Sequence, residues 1–537
     1  MSASHRPVVL IIRDGWGHNP RADQDFCDAT VQAATPVGDR LLADYPHVQI
    51  KTSGTDVGLP PGVMGNSEVG HQNLGAGRIV DQELMRITNA VASGAFLENP
   101  RLLEAVNRAK SSGKVVHLLG LLSDGGVHSH IDHCLALIDL CAQADLPKDQ
   151  LAVHVITDGR DTAPTGGAGY VARVEEKLAD LNFPPVASVV GRFYAMDRDF
   201  RWDRVQKAYD LLVGRGGDPG ESAGAVLANY YENPTEPERF GDEFVAPHYT
   251  DYSEGAGPLN GGRIADGDSV IFYNFRGDRP REITKAFVLS DAEWADIKGG
   301  GFDRKPVPSD LYFCTMARYE TGLETEVAFE KPPKMEGILG DAVSAAGLTQ
   351  YRCAESEKAP HVTFFFNDYR EEPFTGEVQQ EIPSPRDVST YDQKPEMSAR
   401  GVTDAVLNVI NNSEADFVLV NYANGDMVGH TGVLEAAVKA VEVVDGCVGE
   451  IVDATLAKGG ALVVTADHGN CEQMVDIESG RPHTAHTTYD VDCVVVASDV
   501  EGRRLREGGR LADVAPTVLD LMGVSKPEMM TGESLLA

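Results

Sequence analysis

The hydrophobic positions of this chain fall into two series of short apolar runs, separated by segments with helical periodicity. Short runs rich in β-branched residues are typical of buried strands in parallel sheets. Helical periodicity fills the intervals, for example at 131–144 and 203–213, and this alternation predicts an α/β protein with one sheet in each of two regions. The predicted strands are 8–12, 115–122, 151–157, 186–191, 269–275 and 311–316, followed by 362–366, 417–422, 461–466 and 491–498.

The length of the chain, 537 residues, exceeds the size at which a single hydrophobic core stops growing, so two or more domains are expected. Beyond about residue 328, the proline-marked segment PPKMEGILGDAVSAAG predicts a linker followed by a helix, after which the second series of strands begins. The long polar stretch 369–400 predicts an ordered connection or hinge rather than a core element.

Composition narrows the class of protein and of partner. Hydrophobic residues make up 42% of the chain, as in an ordinary globular protein. The net charge of −35 argues against nucleic acid and anionic membranes as general partners, so an anionic substrate would need a local cationic cluster. The eight cysteines form no CxxC pair, which predicts reduced, mostly buried thiols. The first apolar run is too short for a signal peptide or a membrane span, so we expect a cytoplasmic protein.

Arginine, aspartate and histidine side chains directly follow the first strands of the long middle region. Guanidinium groups bind phosphate and carboxylate bidentately, so a small substrate that carries both groups would explain this placement in an acidic protein. For any single arginine, a surface salt bridge is the alternative, but the set as a whole favours one anion pocket. The candidates are His128, Arg160, Asp161, Arg192, Arg198, Arg276 and Arg279.

A second group of carboxylates and imidazoles follows strands near the two ends of the chain. Asp426 and His430 are four apart, which places them on one face if a helical turn forms there. Mixed carboxylate and imidazole ligands suit Mn, Zn or Fe, and the absence of nearby cysteines argues against a closed structural zinc site. The alternatives are a turn-capping Asp14 and a simple hydrogen-bonded Asp–His pair. The candidates are Asp14, Asp426, His430, Asp467, His468 and His486.

Ser67 lies in the glycine-rich segment GNSEVGHQNLGAGR, residues 65–78. A serine hydroxyl is a poor nucleophile unless a base or a metal ion activates it. Taken with the carboxylates and imidazoles above, this serine favours a two-metal phosphoryl-transfer site.

The chain resembles the cofactor-independent phosphoglycerate mutases, members of the alkaline phosphatase superfamily. The resemblance runs nearly end to end, and the motifs that carry it stand in the family's order. These motifs are LIIRDGWG, GNSEVGHQNLGAGR, SDGGVHSH, DGRDTAP, GRFYAMDRD, NFRGDR, SEKAPHVTFFF, YDQKPEMSA, NGDMVGHTG, TADHGN and HTAHTT.

The resemblance implies a phosphatase-like metal domain formed by residues 1–81 and 329–537, split by an inserted α/β transferase domain at 82–328. It implies two divalent metal ions, with Mn²⁺ favoured over Mg²⁺ or Zn²⁺. One ion would be held by Asp14, Ser67, Asp467 and His468, and the other by Asp426, His430 and His486. The implied catalytic residues are Ser67, Asp161 and Lys358, and the implied substrate residues are His128, Arg160, Asp161, Arg192, Arg198, Arg276, Arg279 and Lys358.

The activity that the resemblance implies is interconversion of 3- and 2-phosphoglycerate through phosphorylated Ser67, without bisphosphoglycerate. Asp161 would act as acid or base for the glycerate hydroxyls, its alternative being a structural partner of Arg160. Domain closure over the phosphoserine, with hinges near residues 80 and 328, would exclude water. A metal-dependent phosphomonoesterase or another mutase of the superfamily is the alternative function, and a non-catalytic binding protein is a third.

Three further expectations complete the sequence-based description. We expect a monomer, and a pH optimum on the basic side because histidines must be neutral to bind metal. Relatives carry an apolar residue where this chain has Arg13, whose side chain we expect to point away from Asp14 along the strand. Residues 367–370 stand where the family has a glycine-richer turn.

Overall fold

The computed structural model describes residues 5–252, 257–500 and 502–536. The strands there are β1 Val8–Arg13, β2 His47–Lys51, β3 Val116–Leu122, β4 Leu151–Thr157, β5 Ser188–Gly191, β6 Asp218–Gly220, β7 His248–Thr250, β8 Ser269–Phe272, β9 Tyr312–Thr315, β10 Glu326–Val327, β11 Gln350–Glu355, β12 Glu377–Ile382, β13 Phe417–Tyr422, β14 Ala461–Thr465, β15 Val491–Val496 and β16 Gly509–Arg510.

The α-helices alternate with these strands. They are α1 Ala29–Gln32, α2 Pro36–Asp44, α3 Ser67–Ala76, α4 Glu83–Ser93, α5 Pro100–Ser112, α6 Ile131–Gln143, α7 Gly167–Asp180, α8 Arg192–Ala195, α9 Trp202–Leu212, α10 Ala223–Glu232, α11 Arg281–Val288, α12 Asp291–Ala295, α13 Leu339–Ala345, α14 Ala399–Asn412, α15 Asn424–Gly429, α16 Leu434–Ala457 and α17 Val514–Met522. Short 3₁₀ helices are Ala22–Cys27, Gly54–Val57, Ala95–Glu98, Lys148–Gln150, Asp242–Phe244, Leu259–Gly262, Tyr391–Gln393 and Leu511–Asp513, and His361–Phe365 is a π-helix.

The chain divides into two compact units. The first consists of Met1–Gln82 with Pro332–Ala537, and the second is Glu83–Lys331. In the described part of the first unit, an eight-stranded sheet has the order β12-β11-β13-β1-β14-β15-β2-β16. Its central strands β11, β13, β1 and β14 run parallel, so their carboxyl ends lie at one edge of the sheet. This edge carries the candidate metal ligands.

The second unit has its own sheet. In its described part the strand order is β10-β9-β8-β3-β4-β5-β7-β6, and β8, β3, β4 and β5 are parallel neighbours. These four strands are buried along their whole length because helices cover both faces of the sheet. The segments that follow their carboxyl ends carry the candidate arginines.

The α/β class and nine of the ten predicted strands are confirmed, as are the helices near 131–144 and 203–213 and the helix after the proline-marked linker. The predicted strand at 362–366 is wrong, because this segment is the π-helix that follows Pro360. The amide of Phe366 donates to the carbonyl of His361 at 3.1 Å, and the buried Val362 and Phe366 are four residues apart. A short run of bulky aromatic residues therefore has the same sequence pattern in this π-helix as in a buried strand.

Four strands of the first sheet lie outside the predicted ones, namely β2, β11, β12 and the two-residue β16. In β2 and β12, apolar and polar residues alternate only weakly, and both strands lie towards the edges of the sheet. β11 contains an arginine, Arg352, which is buried against the rings of Phe366 and Phe417. β12 lies inside 369–400, so part of that predicted connection is an edge strand. It is mostly exposed, in agreement with the prediction that the stretch adds little to the core.

Each unit buries its own apolar residues, and the eight cysteine thiols are all free and buried, as predicted. Among the described helices, none has both the length and the apolar character needed to cross a membrane. Arg13, at the end of β1, is buried with its guanidinium 4.4 Å from the ring centre of Trp16. Asp14 instead contacts Lys358 and Asn421, so the two neighbouring side chains have different partners.

Candidate active site

Four adjacent parallel strands of the first unit deliver the candidate residues to one place. Asp14 follows β1, Lys358 follows β11, Asp426 lies in α15 after β13, and Asp467 and His468 follow β14. All five side chains are buried. Because β11, β13, β1 and β14 are neighbours in the sheet, residues far apart in sequence meet at this edge.

Ser67 is the first residue of α3, whose amino end is capped by the Asn66 side chain accepting from the Val69 amide at 3.0 Å. The cap fixes the helix start and therefore the position of the hydroxyl. Ser67 Oγ lies 2.9 Å from Nε2 of His468 and 3.4 Å from Oδ1 of Asp14. The amino end of a helix also favours phosphate oxygens, so the nucleophile candidate lies where a phosphoryl group would be stabilised.

Lys358 places a buried ammonium in the middle of this cluster. Its Nζ donates to Ser67 Oγ at 2.6 Å, to Asp14 Oδ1 at 2.7 Å and to Asp426 Oδ2 at 2.7 Å. Burial opposes the charged form, but the carboxylates of Asp14 and Asp426 outweigh it and raise the pKa of Lys358. The ammonium is therefore held charged beside the serine hydroxyl.

The second candidate ligand group converges equally closely. Oδ1 of Asp426 lies 3.2 Å from Nε2 of His430 and 3.0 Å from Nε2 of His486. Asp426 lies in α15 and His430 caps its carboxyl end, and the His430 amide donates to the Asp426 carbonyl at 3.0 Å, so the two residues are one helical turn apart, as the spacing predicts. His468 lies between the two groups, since its ring stacks on that of His486 at 3.9 Å and its Nε2 is 3.6 Å from Asp14 Oδ1.

The hydrogen bonds of the His430 and His486 imidazoles fit a metal centre. Nδ1 of His430 donates to the Thr484 carbonyl at 2.7 Å, and Nδ1 of His486 donates to the Gly65 carbonyl at 2.9 Å. A carbonyl only accepts, so each Nδ1 carries the proton and the Nε2 lone pairs are left to face each other at 3.0 Å. Such second-layer carbonyls commonly orient histidine ligands of metals.

A buried carboxylate oxygen points to the same conclusion. Among the described residues, Oδ2 of Asp467 is buried without a hydrogen-bond partner. His71 approaches it to 3.2 Å, but its Nδ1 donates to the Ser67 carbonyl at 2.9 Å. An uncompensated buried carboxylate is unfavourable, so this oxygen is suited to a cation. The residues present therefore fit divalent ions.

Six arginines of the second unit, together with three acidic residues, line one cavity of about 160 Å³. Burial and then the charges of Arg192, Arg198 and Arg160 lower the pKa of Arg279, which indicates a concentration of positive charge. Such a cavity suits an anion. Its basic lining residues are Arg160, Arg192, Arg198, Arg201, Arg204 and Arg279.

Arg192 is the buried centre of this cluster. Its Nη1 donates to Oδ1 of Asp158 and to Oδ2 of Asp161, both at 2.6 Å. Asp158 also accepts from the amides of Arg160 and Asp161, at 3.1 and 3.0 Å, so it shapes the DGRD loop. Arg192 therefore joins the two carboxylates, and 17% of the Asp161 side chain stays exposed.

The remaining substrate candidates join the cluster through Asp278. This carboxylate lies 3.5 Å from Nδ1 of His128, 3.2 Å from Nε of Arg276 and 3.2 Å from Nη1 of Arg198. Burial and the nearby Arg192 lower the pKa of His128 to about 4, so its imidazole is neutral near pH 7. Lys358 is the one substrate candidate that belongs to the first unit, against Ser67.

Comparisons with known proteins identify the family. A model described as the Metalloenzyme superfamily matches residues 6–526. A 2,3-bisphosphoglycerate-independent phosphoglycerate mutase of Rhodopirellula baltica is 59% identical over 531 residues, covering 99% of this chain and 97% of the relative. The chain belongs to the 2,3-bisphosphoglycerate-independent phosphoglycerate mutase family. The mutase of Syntrophotalea carbinolica is 48% identical, covering 99% of this chain and 98% of that protein.

A solved structure supports the same family. Leishmania mexicana phosphoglycerate mutase, determined at low cobalt concentration, has a TM-score of 0.59 and 31% identity, covering 100% of this chain and 98% of that one. The family resemblance stated from the motifs is therefore confirmed. Membership of the Metalloenzyme superfamily also supports dependence on a divalent metal ion.

Several site residues of this mutase-family chain were missed from the sequence. Asn421 donates to Asp14 at 2.8 Å, and Asn470 donates to Asp426 Oδ1 at 2.9 Å. His71 lies in the same motif as Ser67, and Asp158 lies in the same motif as Arg160 and Asp161. Their position beside those candidates was the available signal, but only the fold reveals that they contact them.

Proposed function

We propose that this chain interconverts 3-phosphoglycerate and 2-phosphoglycerate through a phosphorylated Ser67, without bisphosphoglycerate. The observation that carries the proposal is the position of Ser67 Oγ, 2.9 Å from His468 and 2.6 Å from Lys358, at the amino end of α3. Family membership supports the same activity, since the relatives are named for it. The function needs residues of one chain only, so we expect a monomer.

We propose two divalent ions, with Mn²⁺ favoured because the ligands mix carboxylates and imidazoles. When bound, they would lower the pKa of the Ser67 hydroxyl and offset charge on the transferred group. One would be held by Asp14, Ser67, Asp467 and His468, and the other by Asp426, His430 and His486.

In the first half of the reaction, Ser67 reacts as the alkoxide, a form that the bound ions would favour. The bond between phosphorus and the 3-oxygen of the substrate breaks as a bond from phosphorus to Ser67 Oγ forms. Lys358 holds a positive charge 2.6 Å from that oxygen and stabilises the negative charge of the transferred group. The departing glycerate oxygen takes a proton, for which Asp161 is the proposed donor. Glycerate stays bound while the phosphoserine persists.

In the second half, Asp161 takes the proton of the glycerate 2-hydroxyl, and that oxygen bonds to phosphorus. The bond from phosphorus to Ser67 Oγ breaks, which regenerates the Ser67 alkoxide. Asp161 is suited to this shuttle because Arg192 and its partners fix its Oδ2 while the carboxylate stays partly accessible. The arginines around the cavity would bind the carboxylate and phosphate groups of the substrate. They also separate this proposal from a simple phosphomonoesterase, which has no need to retain glycerate.

The test is an assay of metal-loaded protein with 3-phosphoglycerate and no bisphosphoglycerate. We expect 2-phosphoglycerate to form, and a chelator to abolish its formation until Mn²⁺ is restored. Release of inorganic phosphate in place of 2-phosphoglycerate would indicate a phosphomonoesterase. Absence of any reaction would favour a binding protein.

Phosphoryl transfer is tested by mass spectrometry of protein quenched during turnover. A mass increase of one phosphoryl group on the peptide that contains Ser67 is expected. Phosphorylation of a different residue, with Ser67 unmodified, would contradict the mechanism. Ser53 serves as an internal control, since its hydroxyl donates to the Thr488 carbonyl outside the cluster and should stay unmodified.

A further inference from the structure

Glu472 is a fully buried glutamate that follows the DHGN segment of the first unit. Its Oε2 accepts from the amide of Gly17 at 3.0 Å and from the amide of Asn470 at 2.7 Å. Its Oε1 accepts from the hydroxyl of Thr487. One carboxyl group therefore connects its own segment to the segments that contain Gly17 and Thr487.

Each of these segments carries proposed metal ligands. Gly17 belongs to the loop that begins with Asp14, Asn470 to the segment that begins with Asp467, and Thr487 directly follows His486. The Asn470 side chain in addition donates to Asp426 Oδ1 at 2.9 Å. The contacts of Glu472 thus reach the surroundings of both proposed ions, although its carboxylate touches none of their ligands directly.

Two glycines make room for this carboxyl group. A Cβ atom at Gly17 would lie 2.3 Å from Cδ of Glu472, and a Cβ atom at Gly469 would lie 2.2 Å from its Oε1. Neither distance is possible for real atoms, so any other residue at these positions would displace the carboxyl group. The local sequence is therefore built around Glu472.

We propose that Glu472 is a positioning residue that fixes the three ligand-bearing segments in the geometry that binds metal. Outer hydrogen-bond partners of metal ligands commonly change metal affinity by about 10- to 100-fold when they are lost. The inference rests on the metal centre of the proposed function. It adds a residue that acts through the backbone of the ligand loops rather than on the substrate.

The test compares Glu472→Ala with Glu472→Gln, using Co²⁺ as the probe. Affinity is measured by competition with a chelating dye, and ligand geometry by the visible absorption of bound Co²⁺. Glu472→Ala should bind Co²⁺ roughly 10- to 100-fold more weakly and alter the spectrum. Glu472→Gln should restore both, because its carbonyl can accept from the two amides while its amide donates to Thr487.

Asp513→Ala is the matched control. Asp513 is a buried carboxylate of the same unit that accepts from the amides of Arg510 and Glu533, at 3.0 and 2.9 Å, away from the ligand loops. Its loss should lower the unfolding temperature but leave Co²⁺ affinity and spectrum unchanged. If Glu472→Ala does not fold, Thr487→Val, which removes one contact only, should weaken Co²⁺ binding by a few-fold.

Wild-type affinity and spectrum in Glu472→Ala would overturn the positioning role. An equal loss of affinity in Asp513→Ala would also overturn it, because the effect would then be general destabilisation. Wild-type protein that binds Co²⁺ but forms no 2-phosphoglycerate would contradict the proposed function alone. Wild-type protein that binds no Co²⁺ would overturn the metal centre and the role of Glu472 with it.

Discussion

The ligand cluster of the first unit and the arginine cluster of the second are built in different ways. Asp14 and His468 are completely buried, and each has its contacts fixed by neighbouring side chains or carbonyls. Arg160 and Arg276, in contrast, expose 54% of their side chains. The first cluster is preorganised, as electrostatic catalysis requires, whereas the second keeps free charge for a ligand.

This difference separates two kinds of effect. Removing a side chain from the first cluster should affect the chemical step, because the proposed mechanism places these buried groups next to the reacting atoms. Removing an exposed arginine should affect substrate binding, because it has few partners within the protein to lose. Arg192 is the exception in the second cluster, since it is both buried and paired with two carboxylates.

The largest expected effect is that of Ser67→Ala. Loss of a nucleophile commonly lowers kcat by a factor on the order of 10⁴ to 10⁶, so formation of 2-phosphoglycerate should fall below detection. The rate is measured with 3-phosphoglycerate as substrate, and circular dichroism establishes that the variant folds. Ser53→Ala is the control and should keep full activity. More than a tenth of wild-type activity in Ser67→Ala would refute the phosphoserine mechanism.

The next effect separates the buried arginine from an exposed one. Arg192→Met leaves the carboxylates of Asp158 and Asp161 without their partner, so the second unit should lose about 3–5 kcal/mol of unfolding free energy. Arg276→Ala should change stability by less than about 0.5 kcal/mol and raise KM roughly tenfold. Urea unfolding and steady-state kinetics measure the two quantities. Equal stability losses in both variants would contradict the distinction between these arginines.

Much of the fold was predictable because buried parallel strands are nearly continuous apolar runs. β1, β13 and β14 are such runs, and the residues that follow them are the proposed ligands. The order of the strands was not predictable from periodicity, since it depends on contacts between distant segments. The π-helix at His361–Phe365 shows the limit, because Phe364 and Phe365 pack against Tyr369 as in a helix rather than alternating between two faces.

The site was predictable where a residue type suggests chemistry and unpredictable where it does not. Asp426 and His430 could be paired by their helical spacing, whereas Glu472 resembles any other acidic residue until its three partners are known. Lys358 was predicted as a site residue only from the resemblance to a family, because nothing in the sequence around a single lysine indicates that its side chain is buried. Its contact with Ser67 depends on the adjacency of strands and on the start of α3.

A smaller effect concerns the carboxyl group of Glu282 in the second unit. Burial raises the pKa of Glu282 to about 7, from an ordinary value of 4.5. Between these values the folded protein keeps a proton that the unfolded chain releases, so this group makes stability fall as pH rises. Glu282→Gln has no such titration. Its unfolding free energy relative to wild type should therefore rise by on the order of 1–3 kcal/mol between pH 5 and pH 8.

Urea unfolding of both proteins at the two pH values measures this difference. The exposed Glu232→Gln is the control, and its stability relative to wild type should not depend on pH in this range. A difference between Glu282→Gln and wild type that stays constant from pH 5 to pH 8 would contradict the raised pKa. Such a result would mean that the buried carboxyl group of the second unit is ionised in the folded protein throughout.

The smallest effect is expected for Arg13→Met, next to the proposed ligand Asp14. The Arg13 guanidinium stacks on Trp16, and burial lowers its pKa although Asp492 and Asp445 oppose this shift. Methionine keeps an unbranched stem of similar path, and unfolding free energy should change by less than about 1 kcal/mol. The carboxylate of Asp492, which lies near Arg13, would still have a partner in this variant, because His18 Nδ1 lies 3.6 Å from its Oδ2.

The affinity of Arg13→Met for Co²⁺ should stay within about twofold of wild type, because we expect the Arg13 charge to point away from the ligand cluster. A tenfold change in Co²⁺ affinity, measured by dye competition, would instead show that the Arg13 charge affects the metal centre. The first cluster would then depend on charges outside it, and the proposed difference between the two clusters would fail.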